Sequence, residues 1–189
     1  MRGHLVVIAG PSGSGKTTVA REIISRNPSF RFSVSATTRP IRAGEVDGKD
    51  YFFLTRAEFV RRREAGEFVE SEEIYGDLYG SLKVEVERAL GREQNLLFDV
   101  DVKGALSIKR QYPEAVLVFI APPSLEMLGE RLRNRHTESE TTLARRMERA
   151  ALELELGKQF DYRVVNDTLP DAVERVQKIV QQTMDEHLP

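Results

Sequence analysis

The chain has 189 residues, 40% of them hydrophobic and 31% charged, a composition typical of a globular protein with one main domain. Its 28 basic and 30 acidic residues give a formal net charge of -2, so no basic excess indicates nucleic acid or an anionic membrane as a partner. Cysteine is absent, which excludes a disulfide framework, a thiolate metal site and a cysteine nucleophile. The longest apolar run, residues 115–123, is too short to span a bilayer. We expect no signal peptide and a cytoplasmic location, and the oligomeric state stays open.

A glycine-rich turn connects the first predicted strand, residues 5–9, to a predicted helix, residues 16–26. Its sequence fits G-x-x-x-x-G-K-[ST], the pattern of a loop whose backbone N–H groups bind phosphate. We expect the Lys16 ammonium to reach the β- and γ-phosphates and the Thr17 hydroxyl to bind Mg²⁺. The residues predicted to hold ATP here are Gly10, Pro11, Ser12, Gly13, Ser14, Gly15, Lys16, Thr17 and Thr18. The loop alone does not separate a kinase from an ATPase, a GTPase or a nucleotide-binding protein.

A mixed segment follows the second predicted strand, residues 30–34. Residues 35–51 are polar and lack a helical period, which predicts a loop, and Arg39 and Arg42 within it suit an anion. A short strand (51–54), a helix from a capping box at Thr55, an extended segment (67–75) and a turn (77–81) are predicted next.

Two carboxylates, Asp99 and Asp101, follow the predicted buried strand 94–98. Open parallel sheets bind ligands at the carboxyl ends of their strands. These two side chains are therefore candidates for binding hydrated Mg²⁺ or a ribose hydroxyl. The alternative is that they are solvated acids at a strand end without a ligand.

The last third of the chain is mostly helical. After a helix (102–112) and a strand (115–121), residues 126–157 form an arginine-rich helical segment, interrupted by a polar break at 136–140. A last strand (162–165) and a closing amphipathic helix (171–187) follow. Strands alternating with helices predict an α/β fold, a doubly wound, mostly parallel five-stranded sheet.

Several segments together resemble guanylate kinase, of the nucleoside monophosphate kinase group. They are GPSGSGKTT (10–18), SATTRPIRAGEVDGKDYFF (35–53), EFVE (67–70), YGS (79–81), DVDVKG (99–104), IAPPS (120–124), RLRNR (131–135) and RR (145–146). The resemblance implies transfer of a phosphoryl group from ATP, with Mg²⁺, to GMP or dGMP. It also implies a core (1–34, 84–125, 158–189), a GMP-binding insertion (35–83) and a lid (126–157).

The resemblance further implies a role for each matching residue. The GMP phosphate would be held by Arg39, Arg42, Tyr51 and Tyr79. The guanine would be bound by Glu70, Ser35 and Ser81, with Asp99 and Asp101 on the guanine, ribose or hydrated Mg²⁺ side. The metal would be held by Thr17 and Asp101. The ATP phosphates would be covered by Arg131, Arg135 and Arg146, and the catalytic residues would be Lys16, Arg39, Arg135 and Arg146.

The sequence departs from the family pattern at Ser71, Lys103 and His136, and none of these positions removes a group that the chemistry requires. An alternative from another functional class is a catalytically silent, guanylate-kinase-like module that binds proteins. A third is a phosphate-loop kinase for another acceptor. The intact loop and the guanine-reading residues favour an active guanylate kinase over both.

Overall fold

The structure is a computed structural model, and it describes residues 3–74, 76–133 and 140–185. Its elements in chain order are β1 (Leu5–Ala9), α1 (Lys16–Arg26), β2 (Phe30–Phe32), β3 (Ser35–Thr37), β4 (Phe52–Phe53), α2 (Arg56–Glu64), β5 (Phe68–Ile74), β6 (Asp77–Leu82), α3 (Lys83–Gly91), β7 (Asn95–Asp99), α4 (Val102–Gln111), β8 (Val116–Ala121), α5 (Leu125–Arg133), α6 (Glu140–Leu156), a short 3-10 helix (Gly157–Gln159), β9 (Tyr162–Val165) and α7 (Leu169–Asp185).

The core is a five-stranded parallel sheet in the order β2-β7-β1-β8-β9. Every residue of β1 is buried, because helices cover both faces of the sheet. Val7 faces the side covered by α3 and α4, whereas Val6 and Ile8 face the side covered by α1 and α7. The predicted fold class is confirmed.

Residues 35–82 contain a second, mixed sheet in the order β4-β3-β6-β5. It has its own small core, in which the rings of Phe59 and Phe68 stack with centroids 4.4 Å apart. Two predictions made for this segment are wrong. The predicted turn at 77–81 is strand β6, and the predicted loop at 35–51 begins with strand β3.

The polar side chains of these two strands explain both errors. In β6, Leu78 and Leu82 belong to the small core, but Ser81 is hydrogen bonded to Glu70 on the other face. Strands are predicted from the alternation of apolar, buried residues with polar, exposed ones. That alternation is weak in a strand whose second face is polar and yet buried.

Helices α5 and α6 pack on each other through a cluster of leucine, methionine and alanine side chains. Its members are Leu128, Leu132, Leu143, Met147 and Ala150. The predicted catalytic residue Arg135 and the departure His136 lie outside the described residues. The closing helix starts at Leu169, two positions before the predicted residue 171. Within the part of the chain that is described, no helix has both the length and the apolar sequence needed to cross a membrane.

Candidate active site

A cavity of about 560 Å³ lies where the start of α1 and the end of β7 face the second sheet. Ten of the predicted site residues line it. They are Lys16, Thr17, Ser35, Arg39, Arg42, Tyr51, Glu70, Tyr79, Asp99 and Asp101. An eleventh, Ser81, is fully buried directly behind Glu70. The chain positions of these residues are far apart, and the two sheets bring them to one space.

The glycine-rich loop between β1 and α1 is tightly turned. The Ser14 N–H donates to the Pro11 carbonyl over 3.0 Å, and Gly15 has a φ of 87°, a backbone conformation that favours glycine. Gly15 is also the N-cap of α1, and no side chain caps this helix. The N-terminal N–H groups of α1 are therefore available to an anion, as the phosphate-binding pattern requires.

Asn166 supports this loop, and the sequence interpretation did not include it. The side-chain amide of Asn166 donates to the Ser14 carbonyl over 2.7 Å, and the backbone carbonyl of Asn166 accepts from the Arg131 guanidinium over 3.2 Å. A Cβ atom on Gly15 would lie 2.3 Å from that amide nitrogen, so the contact requires glycine there. Asn166 comes directly after β9, and the carboxyl end of a parallel strand was the signal that could have identified it.

Thr17 and Asp99 form the site best suited to a cation. The Thr17 hydroxyl donates to one Asp99 carboxylate oxygen over 2.5 Å, and the other Asp99 oxygen is buried without a hydrogen-bond partner. Among the described residues there is no cluster of three or more His, Cys, Asp or Glu side chains that could enclose a metal. This arrangement fits Mg²⁺, which proteins commonly hold through one or two oxygen side chains together with substrate phosphates and waters.

Asp101 has other partners than Thr17. One of its oxygens accepts from the Gly104 N–H over 2.9 Å and caps α4, and the other lies 3.1 Å from the Arg149 guanidinium. Of the two strand-end carboxylates, the one that contacts Thr17 is Asp99. The metal role given to Asp101 stays a prediction.

Arg39 is a buried cation at the cavity wall. Its two terminal nitrogens lie 3.1 and 2.7 Å from the two carboxylate oxygens of Glu45. This hydrogen bonding lowers the pKa of Glu45 and keeps it ionised. The guanidinium also lies 5.4 Å from the ring centroid of Tyr51. Burial raises the pKa of Tyr51, so the phenol stays protonated and can donate to an anion.

Glu70 is the buried carboxyl group of the cavity, with 7% of its surface exposed. The Ser81 hydroxyl donates to it over 2.7 Å, and the Ser35 hydroxyl lies 3.5 Å from that of Ser81. Burial raises the pKa of Glu70 to about 7, a shift that the Ser81 hydrogen bond opposes and the charge of Asp101 reinforces. Gly104 leaves room for this carboxyl group, because a Cβ there would lie 2.9 Å from a Glu70 oxygen.

The strand register places Glu70 and Arg39 at different levels of the cavity wall. Ser35 pairs with Ser81, and Ser81 with Glu70, so these residues share one level of the sheet. Arg39 lies four residues further along the chain, at most about 13 Å for an extended chain. A ligand that spans the cavity therefore meets a buried carboxyl group at one level and a buried guanidinium at another.

Comparisons with known proteins show which family the chain resembles over nearly its whole length. A family model described as "Guanylate kinase" matches residues 2–183. The guanylate kinase of Chlorobium luteolum is 50% identical over 175 residues, covering 92% of this chain and 89% of that one. That of Thermotoga maritima is 48% identical over 180 residues, covering 95% and 87%. The crystal structure of guanylate kinase from Anaplasma phagocytophilum superposes with a TM-score of 0.75 at 31% identity, covering 96% and 86% of the two chains.

Proposed function

The chain belongs to the guanylate kinase family, and we propose on this basis that it transfers the γ-phosphoryl group of ATP to GMP or dGMP, giving ADP and GDP or dGDP. One observation supports this choice of acceptor. Glu70, Ser81 and Ser35 lie at one level of the cavity, and Arg39 lies at another level, four residues after Ser35 in the chain. A nucleoside monophosphate has the matching shape, with a base at one end and a phosphate at the other.

Glu70 reads the base. An ionised Glu70 accepts from the N1–H and the 2-amino group of guanine, while the Ser81 hydroxyl holds the carboxylate in place. Adenine has no proton on N1, so AMP would leave the buried carboxylate without a donor. Because a buried polar group left unpaired is costly, this difference discriminates strongly against AMP.

The phosphate of the acceptor is bound by Arg39 and Arg42 together with the phenols of Tyr51 and Tyr79, all of which line the cavity. Arginine forks match phosphate oxygens, and the phenols donate without adding charge. Glu45 holds the guanidinium of Arg39 in one orientation before the acceptor arrives, which lowers the entropy lost on binding.

The donor ATP binds at the glycine-rich loop, with Lys16 at its β- and γ-phosphates. The lid arginines Arg131, Arg135 and Arg146 offset the charge of its phosphates. Thr17 and Asp99 would hold Mg²⁺, which supplies charge neutralisation of the phosphates when it is bound.

The chemical step is a direct in-line transfer. An oxygen of the acceptor phosphate attacks the γ-phosphorus, the bond to the bridging oxygen of ADP breaks, and no enzyme intermediate forms. No general base is needed, because the attacking phosphate is already an anion. The protein contributes position and positive charge through Lys16, the loop N–H groups and the arginines.

We also propose the three-part division into core, GMP-binding insertion (35–83) and lid (126–157). The separate sheet within residues 35–82 and the separate α5–α6 cluster support it. Closure of both parts over the substrates would exclude water, the competing acceptor. Nothing observed favours the catalytically silent module, and the phosphate loop keeps all four fixed positions of its motif.

The test is ADP release from ATP and Mg²⁺ with GMP, AMP, CMP, UMP or no acceptor. We expect turnover with GMP, weaker turnover with dGMP, and little with the others. ADP release that does not depend on an acceptor would indicate an ATPase. Binding of ATP or GMP without any turnover would indicate the silent module.

A further inference from the structure

Arg149 joins three carboxylates that come from three different parts of the fold. Its terminal nitrogen Nη2 lies 2.9 Å from Glu72 on β5 and 3.1 Å from Asp101 at the start of α4. Its Nε lies 2.8 Å from Glu153, one turn further along α6. All three acids are mostly buried, with side-chain exposures of 17%, 10% and 9%. One guanidinium therefore holds α6, the second sheet and the core in contact.

Two of these acids belong to the cavity where the acceptor base is expected. Glu72 and Asp101 both line it. Glu72 follows Glu70 by two residues on β5, so the two side chains share a face of the strand. The Arg149 guanidinium therefore lies directly behind two residues of the pocket wall and contacts both of them.

Three mostly buried carboxyl groups are crowded around Arg149. Glu72 and Asp101 both contact Nη2 of Arg149, so their carboxyl groups lie close to each other. Burial raises the pKa of Glu153, and the hydrogen bond and charge of Arg149 oppose that shift. Removing the guanidinium would leave buried acids in contact without a fixed cation, which is unfavourable and forces side chains to move or to take up protons.

We propose that Arg149 is a positioning residue of the acceptor pocket, which fixes the Asp101 and Glu72 carboxyl groups beside Glu70 and ties them to α6. Arg149 does not contact the acceptor in this account. The inference rests on the proposed function, because it concerns the site at which GMP is read.

The position of Arg149 on α6 also links it to a second site residue. Arg146 lies three residues earlier, on the same side of the helix, and is one of the arginines expected at the ATP phosphates. A contact that holds α6 against the acceptor pocket therefore also helps to place Arg146. Loss of Arg149 should affect acceptor binding first and the chemical step second.

The experiment compares Arg149→Met, Arg149→Lys and a control, Arg145→Met, in steady-state kinetics with each substrate varied in turn. Arg145 is exposed on the same helix, so the control makes the same chemical change without touching the cluster. We expect Arg149→Met to raise the KM for GMP about tenfold, since small displacements of positioning groups have effects of this size. The KM for ATP should change less than twofold. Arg149→Lys should recover part of the loss, and Arg145→Met should match the wild type.

Isothermal titration with GMP and a thermal melt accompany the kinetics. If Arg149→Met melts far below the wild type, the comparison is made with Arg149→Lys, which keeps a cation in the cluster. An unchanged KM for GMP, or equal losses for both substrates, would overturn the inference while leaving the proposed function intact. A wild-type protein that neither binds nor uses GMP would overturn the proposed function, and the inference with it.

Discussion

The Thr17 hydroxyl and the Asp99 carboxylate are 2.5 Å apart, although 82 residues separate them in the chain. Thr17 is the second residue of α1 and Asp99 is the last residue of β7, and these helix and strand ends meet because β1 and β7 are parallel neighbours. The second Asp99 oxygen is buried and has no hydrogen-bond partner. A divalent cation would satisfy it.

The first prediction is that Asp99→Asn lowers kcat/KM about 100-fold. Losses of this size are usual when an enzyme loses a group that stabilises charge in the transition state, and Asp99 would do so by holding Mg²⁺. The amide oxygen can still accept from Thr17, so the melting temperature should change little. Higher Mg²⁺ concentration should restore part of the rate. Asp171→Asn is the matched control, because it alters a similar Thr–Asp hydrogen bond, 2.8 Å from Thr168, at the start of α7. A variant with wild-type rate and Mg²⁺ dependence would exclude the role of Asp99.

Local patterns predicted the parts of the site that lie close together in the chain. The loop glycines, Lys16 and Thr17 form one motif, and Asp99 follows a recognisable buried strand. Asn166 and Arg149 were not predicted, because their partners Ser14 and Asp101 are 152 and 48 residues away in the chain. Contacts between residues so far apart in the chain leave no periodic pattern or fixed spacing in the sequence. The guanine-reading group came from family resemblance, since a single Glu in a strand carries no chemical signal of its own.

The second prediction concerns Asn166, whose amide holds the Ser14 carbonyl. Asn166→Ala should raise the KM for ATP about tenfold, because a loop that positions phosphates would lose a buried support. Asn166→Asp should be worse, because a carboxylate would face a carbonyl oxygen. The control is Asn27→Ala, which removes an equal 2.7 Å amide-to-carbonyl bond, to Ile23, away from the cavity. We expect the control to lower stability and to leave the KM for ATP unchanged. Equal kinetics for all three variants would contradict the role of Asn166.

The third prediction is a pH dependence of acceptor use. The pKa of Glu70 is raised to about 7, so the carboxylate needed for guanine is lost from the free protein as the pH falls below that value. The kcat/KM for GMP should then fall about tenfold for each further pH unit. The phosphate of GMP also titrates, near pH 6. Glu70→Gln keeps the phosphate titration and removes that of the carboxyl group, so its profile should be flatter. Identical profiles would show that Glu70 does not titrate in this range.

The fourth prediction concerns stability without ligand. Because the folded-state pKa of Glu70 is about 7 against a model-compound value of 4.5, the folded protein holds a proton that the unfolded chain has released between these pH values. Stability from this group therefore falls as the pH rises through the window and stays lower above it. Glu70→Gln lacks this loss, so it should melt about 7–14 °C above the wild type at pH 8 and close to it at pH 4.5. The exposed Glu64→Gln should show no such pH-dependent difference. A lower melting temperature for Glu70→Gln than for the wild type at pH 8 would show that burying the ionised Glu70 carboxylate does not destabilise the protein.

The most direct test of the account is the ratio of kcat/KM for GMP to that for AMP, measured in the wild type and in Glu70→Gln, with inosine monophosphate as a third acceptor. Inosine monophosphate keeps the N1 proton and lacks the 2-amino group, so it separates the two donors that Glu70 is proposed to read. We expect the wild type to prefer GMP, then inosine monophosphate, then AMP. In Glu70→Gln the ratio of GMP to AMP should fall about 100-fold, because the amide can accept only one of the two donor bonds. A ratio that the substitution leaves unchanged would contradict the central claim that Glu70 selects guanine.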